Sequence, residues 1–223
     1  MCCTKVTSKT NLATRHFIWC SICQNCLTDY NDENPKAILC SHDEDVCLYE
    51  RTRIIYAGSD TVMATQRCGK SSECNRAGSI RSSTKTILIN TTCCNQNMCQ
   101  RPFPTVPSIS NDVNGLVCPA CYYPNSDRCL KYNNLQCTGD EKRCVHYTRT
   151  ENQGRYIVME TLHGCTTDEI CEAGSILIQA DEHNTFSTIK TDIRCTVSGA
   201  ITWSSAIYKF LMITYTALCV LDI

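Results

Sequence analysis

The cysteines of this chain fall into two copies of one frame. Cys40, Cys47, Cys68 and Cys74 are each followed 97 positions later by Cys137, Cys144, Cys165 and Cys171. Cys20 and Cys23 are followed 98 positions later by Cys118 and Cys121. The flanking residues repeat as well: Cys74-Asn-Arg-Ala-Gly-Ser-Ile80 returns as Cys171-Glu-Ala-Gly-Ser-Ile176. A fixed period of this kind is the mark of an internal duplication. It predicts two cysteine-rich domains, over 20–99 and 116–197.

With 21 cysteines in 223 residues, the chain sits in the range of disulfide scaffolds. Only two Trp and four Phe are present, which argues against a large apolar core and leaves cross-links to supply stability. The Cys-x2-Cys spacings at Cys20/Cys23, Cys23/Cys26 and Cys118/Cys121 also suit zinc. Each domain has one such cluster without a partner cluster, however, and His16, His42, His146, His163 and His183 are scattered. The expectation is a disulfide framework with no metal and no cofactor.

A net charge of −1 gives no basic footprint for nucleic acid. No catalytic motif is present: there is no Gly-x-Ser-x-Gly, no His-Glu-x2-His and no phosphate loop. The acidic run at His42-Asp-Glu-Asp45 reads as a solvated loop. The expectation is therefore a protein that is not an enzyme.

Between the cysteines the pattern is β. Val46–Tyr56 reads as a strand, 57–60 as a turn and 61–66 as the return strand. Residues 144–150, 151–154 and 155–162 repeat the plan, and 84–89 reads as another short strand. No helical period stands out between 20 and 197. Pro102, Pro104 and Pro107 make 100–115 a semi-rigid linker.

The opening Cys-x2-Cys, the hairpin before Cys68 and the ending Cys93-Cys94-Asn-Gln-Asn-Met-Cys99 resemble the three-finger domain of the lymphocyte-antigen and urokinase-receptor (Ly6/uPAR) family. The resemblance implies an all-β, disulfide-rich fold of two tandem three-finger domains. It also implies the pairings Cys20–Cys47, Cys23–Cys26, Cys40–Cys68, Cys74–Cys93 and Cys94–Cys99 in the first domain. In the second domain it implies Cys118–Cys144, Cys121–Cys129, Cys137–Cys165 and Cys171–Cys195. The run Asn114-Gly-Leu-Val-Cys-Pro-Ala-Cys-Tyr122, the run Leu135-Gln-Cys-Thr-Gly-Asp-Glu-Lys-Arg-Cys144 and the proline-rich linker resemble the gamma-type phospholipase A2 inhibitors. Two departures stand out. Two residues separate Cys23 from Cys26 where seven separate Cys121 from Cys129, and no Cys-Cys-x4-Cys follows Cys195.

The function implied by resemblance is that of an extracellular, secreted protein-binding module that inhibits a secreted phospholipase A2 by non-covalent binding. The alternative is a lipid-anchored surface receptor or adhesion protein for another extracellular protein. Candidate partner contacts are Phe103, Pro104, Val106 and Pro107 in the linker, with Tyr56 and Tyr156 on the central fingers; a strand tyrosine also has the simpler role of sheet packing. Self-association stays open. Asn90-Thr-Thr is the one N-glycosylation sequon.

The ends fit a secreted protein less well. Residues 1–19 carry no apolar stretch of a signal peptide, which conflicts with a disulfide framework and suggests a replaced first exon. Residues 198–223 run from small residues at Ser198-Gly-Ala200 to an apolar stretch over 210–221. This resembles a GPI-attachment signal with Ser198 as the candidate site, and a non-functional tail is the competing reading. Cys2, Cys3 and Cys219 are left over from the frame.

Overall fold

A computed structural model describes residues 18–22, 36–153, 156–172, 174, 176–182 and 185–197. Cys2, Cys3, Cys23, Cys26, Ser198 and Cys219 lie outside the described residues, and with them the Cys23–Cys26 pairing and the anchor site.

Twelve strands carry the described chain. The first domain holds β1 (Trp19–Ile22), β2 (Lys36–Leu39), β3 (Val46–Tyr56), β4 (Ser59–Gly69), β5 (Ala77–Arg81) and β6 (Lys85–Cys94). The second holds β7 (Val113–Pro124), β8 (Asn133–Thr138), β9 (Arg143–Gln153), β10 (Tyr156–Thr166), β11 (Ile176–Glu182) and β12 (Thr185–Val197). The β3–β4 turn is only Ala57-Gly58, both at positive φ, 52° and 81°. Two positive φ values in succession match the twist of a tight hairpin. The expected four-residue turn is thus shorter, and its flanking residues belong to the strands. The sequence suggested no helix, yet one turn, α1 (Asp168–Cys171), follows β10. Four residues are too few to leave a helical period.

Cross-links gather the base of each domain. Cys20–Cys47, Cys40–Cys68, Cys74–Cys93 and Cys94–Cys99 are bonded in the first domain. Cys118–Cys144, Cys121–Cys129, Cys137–Cys165 and Cys171–Cys195 are bonded in the second. Two bonds touch within each domain: the Cys20 and Cys40 sulfurs are 3.2 Å apart, and those of Cys118 and Cys137 are 3.4 Å apart. These sulfurs lie among Cys68 and Cys165, a grouping compact enough for a metal ion, but the bonds already use them.

The two domains form one continuous sheet, in the order β11-β12-β9-β10-β5-β6-β3-β4. The junction is β10 against β5, with Cys165 opposite Arg81 and Thr166 opposite Ile80. Thr166 Oγ1 donates to the Ser79 carbonyl at 2.7 Å. Gly164 permits this approach, because a Cβ there would strike the Arg81 carbonyl. Beneath the junction lies an apolar core made by both domains: Ile80 and Ile87 from the first, with Val145, Tyr147, Leu162, Ile170 and Ile193 from the second. Full burial of such side chains is worth roughly 1.5–3 kcal/mol each. The core is aliphatic and is built from both domains, so the Trp and Phe counts carry no sign of it.

Two buried ion pairs fix the docking. Arg81 grips Glu141 with Nε at 2.9 Å and Nη2 at 2.6 Å, and Arg81 Nη2 also donates to the Gln136 carbonyl at 2.8 Å. Lys85 Nζ lies 2.5 Å from Glu160 and 4.7 Å over the Tyr122 ring. Tyr122 donates to the same carboxylate at 3.0 Å. Forked guanidinium pairing specifies orientation as well as distance.

Two outcomes follow for stability. Gly164→Ala should lower unfolding stability by about 1–3 kcal/mol, because the junction must open to admit a methyl group. Urea unfolding of both proteins checks this through the midpoint. Glu141→Ala leaves Arg81 buried without its partner and should cost about 3–5 kcal/mol. Replacing both residues by apolar ones (Arg81→Met with Glu141→Leu) should recover most of that loss in the same assay.

Candidate binding surface

The strand pairing pushes one hairpin tip outward. β9 is held on one side by β12 and on the other by β10, over the full length of both hairpin strands. The outer edge of β10 pairs with β7 only from Glu160 to His163. There Asn125 N donates to the Met159 carbonyl at 2.7 Å, and Asn125 itself, at φ 56°, turns the chain away. Beyond that point Tyr156, Ile157 and Val158 have no strand on their outer edge among the described residues. They are 73 %, 63 % and 46 % exposed. Three successive exposed apolar residues place Tyr156 and Val158 on one face and Ile157 on the other.

Tyr56 has a different setting. It ends β3 and packs edge-on against Tyr122 of the second domain, with ring centroids 4.9 Å apart. It therefore belongs to the domain junction while still being partly open. Burial, and then the Glu160 charge, push the Tyr122 hydroxyl far above its ordinary titration range, so it stays a donor. Tyr147 is pushed up in the same order of causes.

The linker lies against the first domain. Phe103 packs edge-on to Tyr49 with centroids 5.6 Å apart. The Tyr49 hydroxyl donates to the Cys99 carbonyl and accepts from Gln66 Nε2 at 3.0 Å. Asn90 Nδ2 donates to the Thr105 carbonyl at 2.6 Å, which ties the sequon asparagine to the linker. Pro104, Val106 and Pro107 are half-buried. The acidic loop is occupied too: Asp43 pairs with Lys70 at 3.0 Å, and Asp45 accepts from Ser71 N at 2.7 Å.

One grouping was not expected. His146 and His163 are opposite each other on β9 and β10. Their rings stack at 4.1 Å between centroids, 20° from parallel. The cysteine spacing gave no hint of it. The signal lies in the hairpin register, since the two residues stand equally far from the strand ends Gln153 and Tyr156.

The sequence matches the u-PAR/Ly-6 domain over residues 16–102 and again over 114–198. It is 25 % identical over 177 residues to a phospholipase A2 inhibitor of the gamma type from Laticauda semifasciata, covering 78 % of this chain and 94 % of that one. It is 30 % identical over 111 residues to Protein RoBo-1 of Rattus norvegicus, covering 50 % of this chain and 42 % of that protein. Among solved structures, that of mouse TEX101 aligns with 80 % of this chain and 99 % of its own, at 18 % identity and a TM-score of 0.31. Two matched copies, each on its own cysteine frame, cover most of the sequence: the chain belongs to the u-PAR/Ly-6 domain family.

Proposed function

We propose that the chain is an extracellular protein-binding module that inhibits a secreted phospholipase A2 by non-covalent attachment, with the tip of the β9–β10 finger as its main anchor. The observation that carries this reading is the run Tyr156-Ile157-Val158. It is apolar, exposed and mounted on a finger whose base is cross-linked at Cys118–Cys144 and Cys137–Cys165. A side chain already ordered before contact loses less entropy on binding, so apolar area converts to affinity more efficiently. Exposed Tyr is also a common anchor in protein interfaces.

The relative named as a phospholipase A2 inhibitor supports the choice of partner. Blocking needs no chemistry from this chain. An enzyme that works at a lipid surface presents an apolar face to it, and an apolar tip that covers this face keeps the enzyme from its substrate. Pro104, Val106 and Pro107 are proposed as secondary contacts, and Tyr56 as a contact only where the partner spans the domain junction. Phe103 has a second role, since its ring packs on Tyr49.

The test uses the purified full chain with its disulfides formed, against a panel of secreted phospholipases A2 acting on phospholipid vesicles. The expected result is saturable inhibition of at least one enzyme. Tyr156→Ala should weaken it by about 30-fold, the scale of a 2 kcal/mol anchor, with no change in melting temperature. Phe103→Ala should instead lower the melting temperature. Absence of both inhibition and binding at micromolar chain, or binding without inhibition, overturns the inhibitor reading.

A further inference from the structure

We propose that the stacked pair His146–His163 is an acid-sensitive lock in the finger that carries Tyr156, closed at neutral pH and loosened towards pH 5. The rings belong to adjacent strands of that finger, stacked face to face. Tyr132 closes over the stack, edge-on to His163 with centroids 5.2 Å apart. His146 Nε2 is buried without a hydrogen-bond partner. Two neutral rings stack favourably here. Two charged ones would repel across that distance in a site that water only partly reaches.

The surroundings offer little to offset a positive charge. Cys121 of β7 lies opposite His163, bonded to Cys129, and Tyr123 stands two positions further along. On β9 the same face carries Cys144 and Thr148, and on β10 it carries Thr161 and Cys165. On β12 the residue opposite His146 is Arg194, a further cation, with Asp192 beside it. Among the described residues, that aspartate is the only carboxylate on the strands of this face near the pair, and it is 2.7 Å from Arg194. Chelation of a metal ion does not fit the arrangement. Ring-nitrogen lone pairs lie in the ring planes, and two nearly parallel planes do not converge on one ion.

Burial, and then His146, pull His163 down to about 4. An unfolded imidazole takes up its proton near pH 6.5. Between these values the unfolded chain holds more protons than the folded one, so the contribution is complete above about pH 6.5 and is lost as the pH falls through 4. One such proton changes the unfolding constant by at most about tenfold per pH unit, and the partial exposure of His163 reduces that. Opening of the finger at its base frees His163 to take up a proton, so the opened population grows as the pH falls below about 6.5 while the closed form stays neutral, and a bound partner should leave faster in acid. That last consequence rests on the binding reading above; the lock does not.

The experiment compares the full chain with His163→Phe, which keeps a stacked ring but cannot take a proton, with His163→Gln as the second variant and His42→Gln as the control. Urea unfolding between pH 7 and pH 5 should show the unfolding constant of the parent rising several-fold more than that of either His163 variant. The control should follow the parent. An identical pH response in parent and variants overturns the proposal. Nuclear magnetic resonance of the imidazoles gives an independent reading. His163 should stay neutral at pH 5, and titration near 6.5 overturns the lock. Where the phospholipase panel yields a partner, its dissociation should quicken between pH 7 and pH 5 for the parent and less for His163→Phe. Equal quickening overturns the link to release while leaving the unfolding result to judge the lock.

Discussion

Pairs of touching disulfides at the base of each domain set the terms for everything else in the molecule. The longest strands run 11 to 13 residues, far past the shared core that could hold them. A hairpin of that length in water is marginal by itself. Here the base is closed by Cys20–Cys47 against Cys40–Cys68, and by Cys118–Cys144 against Cys137–Cys165. Each cross-link removes conformations mainly from the unfolded chain and contributes on the order of 2–4 kcal/mol. The fingers can then extend beyond the core, and one of them can end in exposed apolar residues without the domain losing its shape.

Cross-links alone would leave two beads on a string. What joins them is an aliphatic core contributed from both sides, with Gly164 allowing β10 to reach β5 and Arg81 gripping Glu141. The linker adds to this by lying on the first domain through Phe103 and Thr105. A partner held at the second domain's finger is thereby placed relative to the first domain as well.

The duplication could be read from the cysteines because covalent geometry leaves a fixed spacing in sequence. The central hairpins were legible from strand composition and turn residues. The junction was not, because a strand edge carries no local signature of the strand it will meet. Ile80 and Ile87 look like any half-buried strand residues until Leu162 and Ile170 are beside them. The histidine pair was hidden by a register error: placing the turn at 151–154 sets His146 opposite Met159 rather than His163. Shifting a hairpin register changes every cross-strand pair at once. Of the proposed contacts, Tyr156 has the open setting the sequence suggested, whereas Phe103 and Tyr56 are also engaged within the chain.

The repeat also shows where the two domains have diverged along the edges of the sheet. By the 97-residue offset, β10 of the second domain corresponds to β4 of the first, and each begins its domain's hairpin return. The position that matches Gly164 is Arg67. Its side chain is buried and paired with Glu73 at 2.5 Å, where the junction demands no side chain at all. The turn glutamate is duplicated faithfully. Glu44 accepts from Ser41 N just as Glu141 accepts from Thr138 N. Only Glu141 has a guanidinium from the other domain, since the residue matching Arg81 beyond Ile176 is Leu177. Both halves of the head-to-tail contact are therefore missing from the outer edges, at β4 and at β11. Two copies of one cysteine frame have diverged at the few positions that decide whether a neighbour can dock. The outer edges at β4 and β11 therefore do not offer the residues that make the β10–β5 junction.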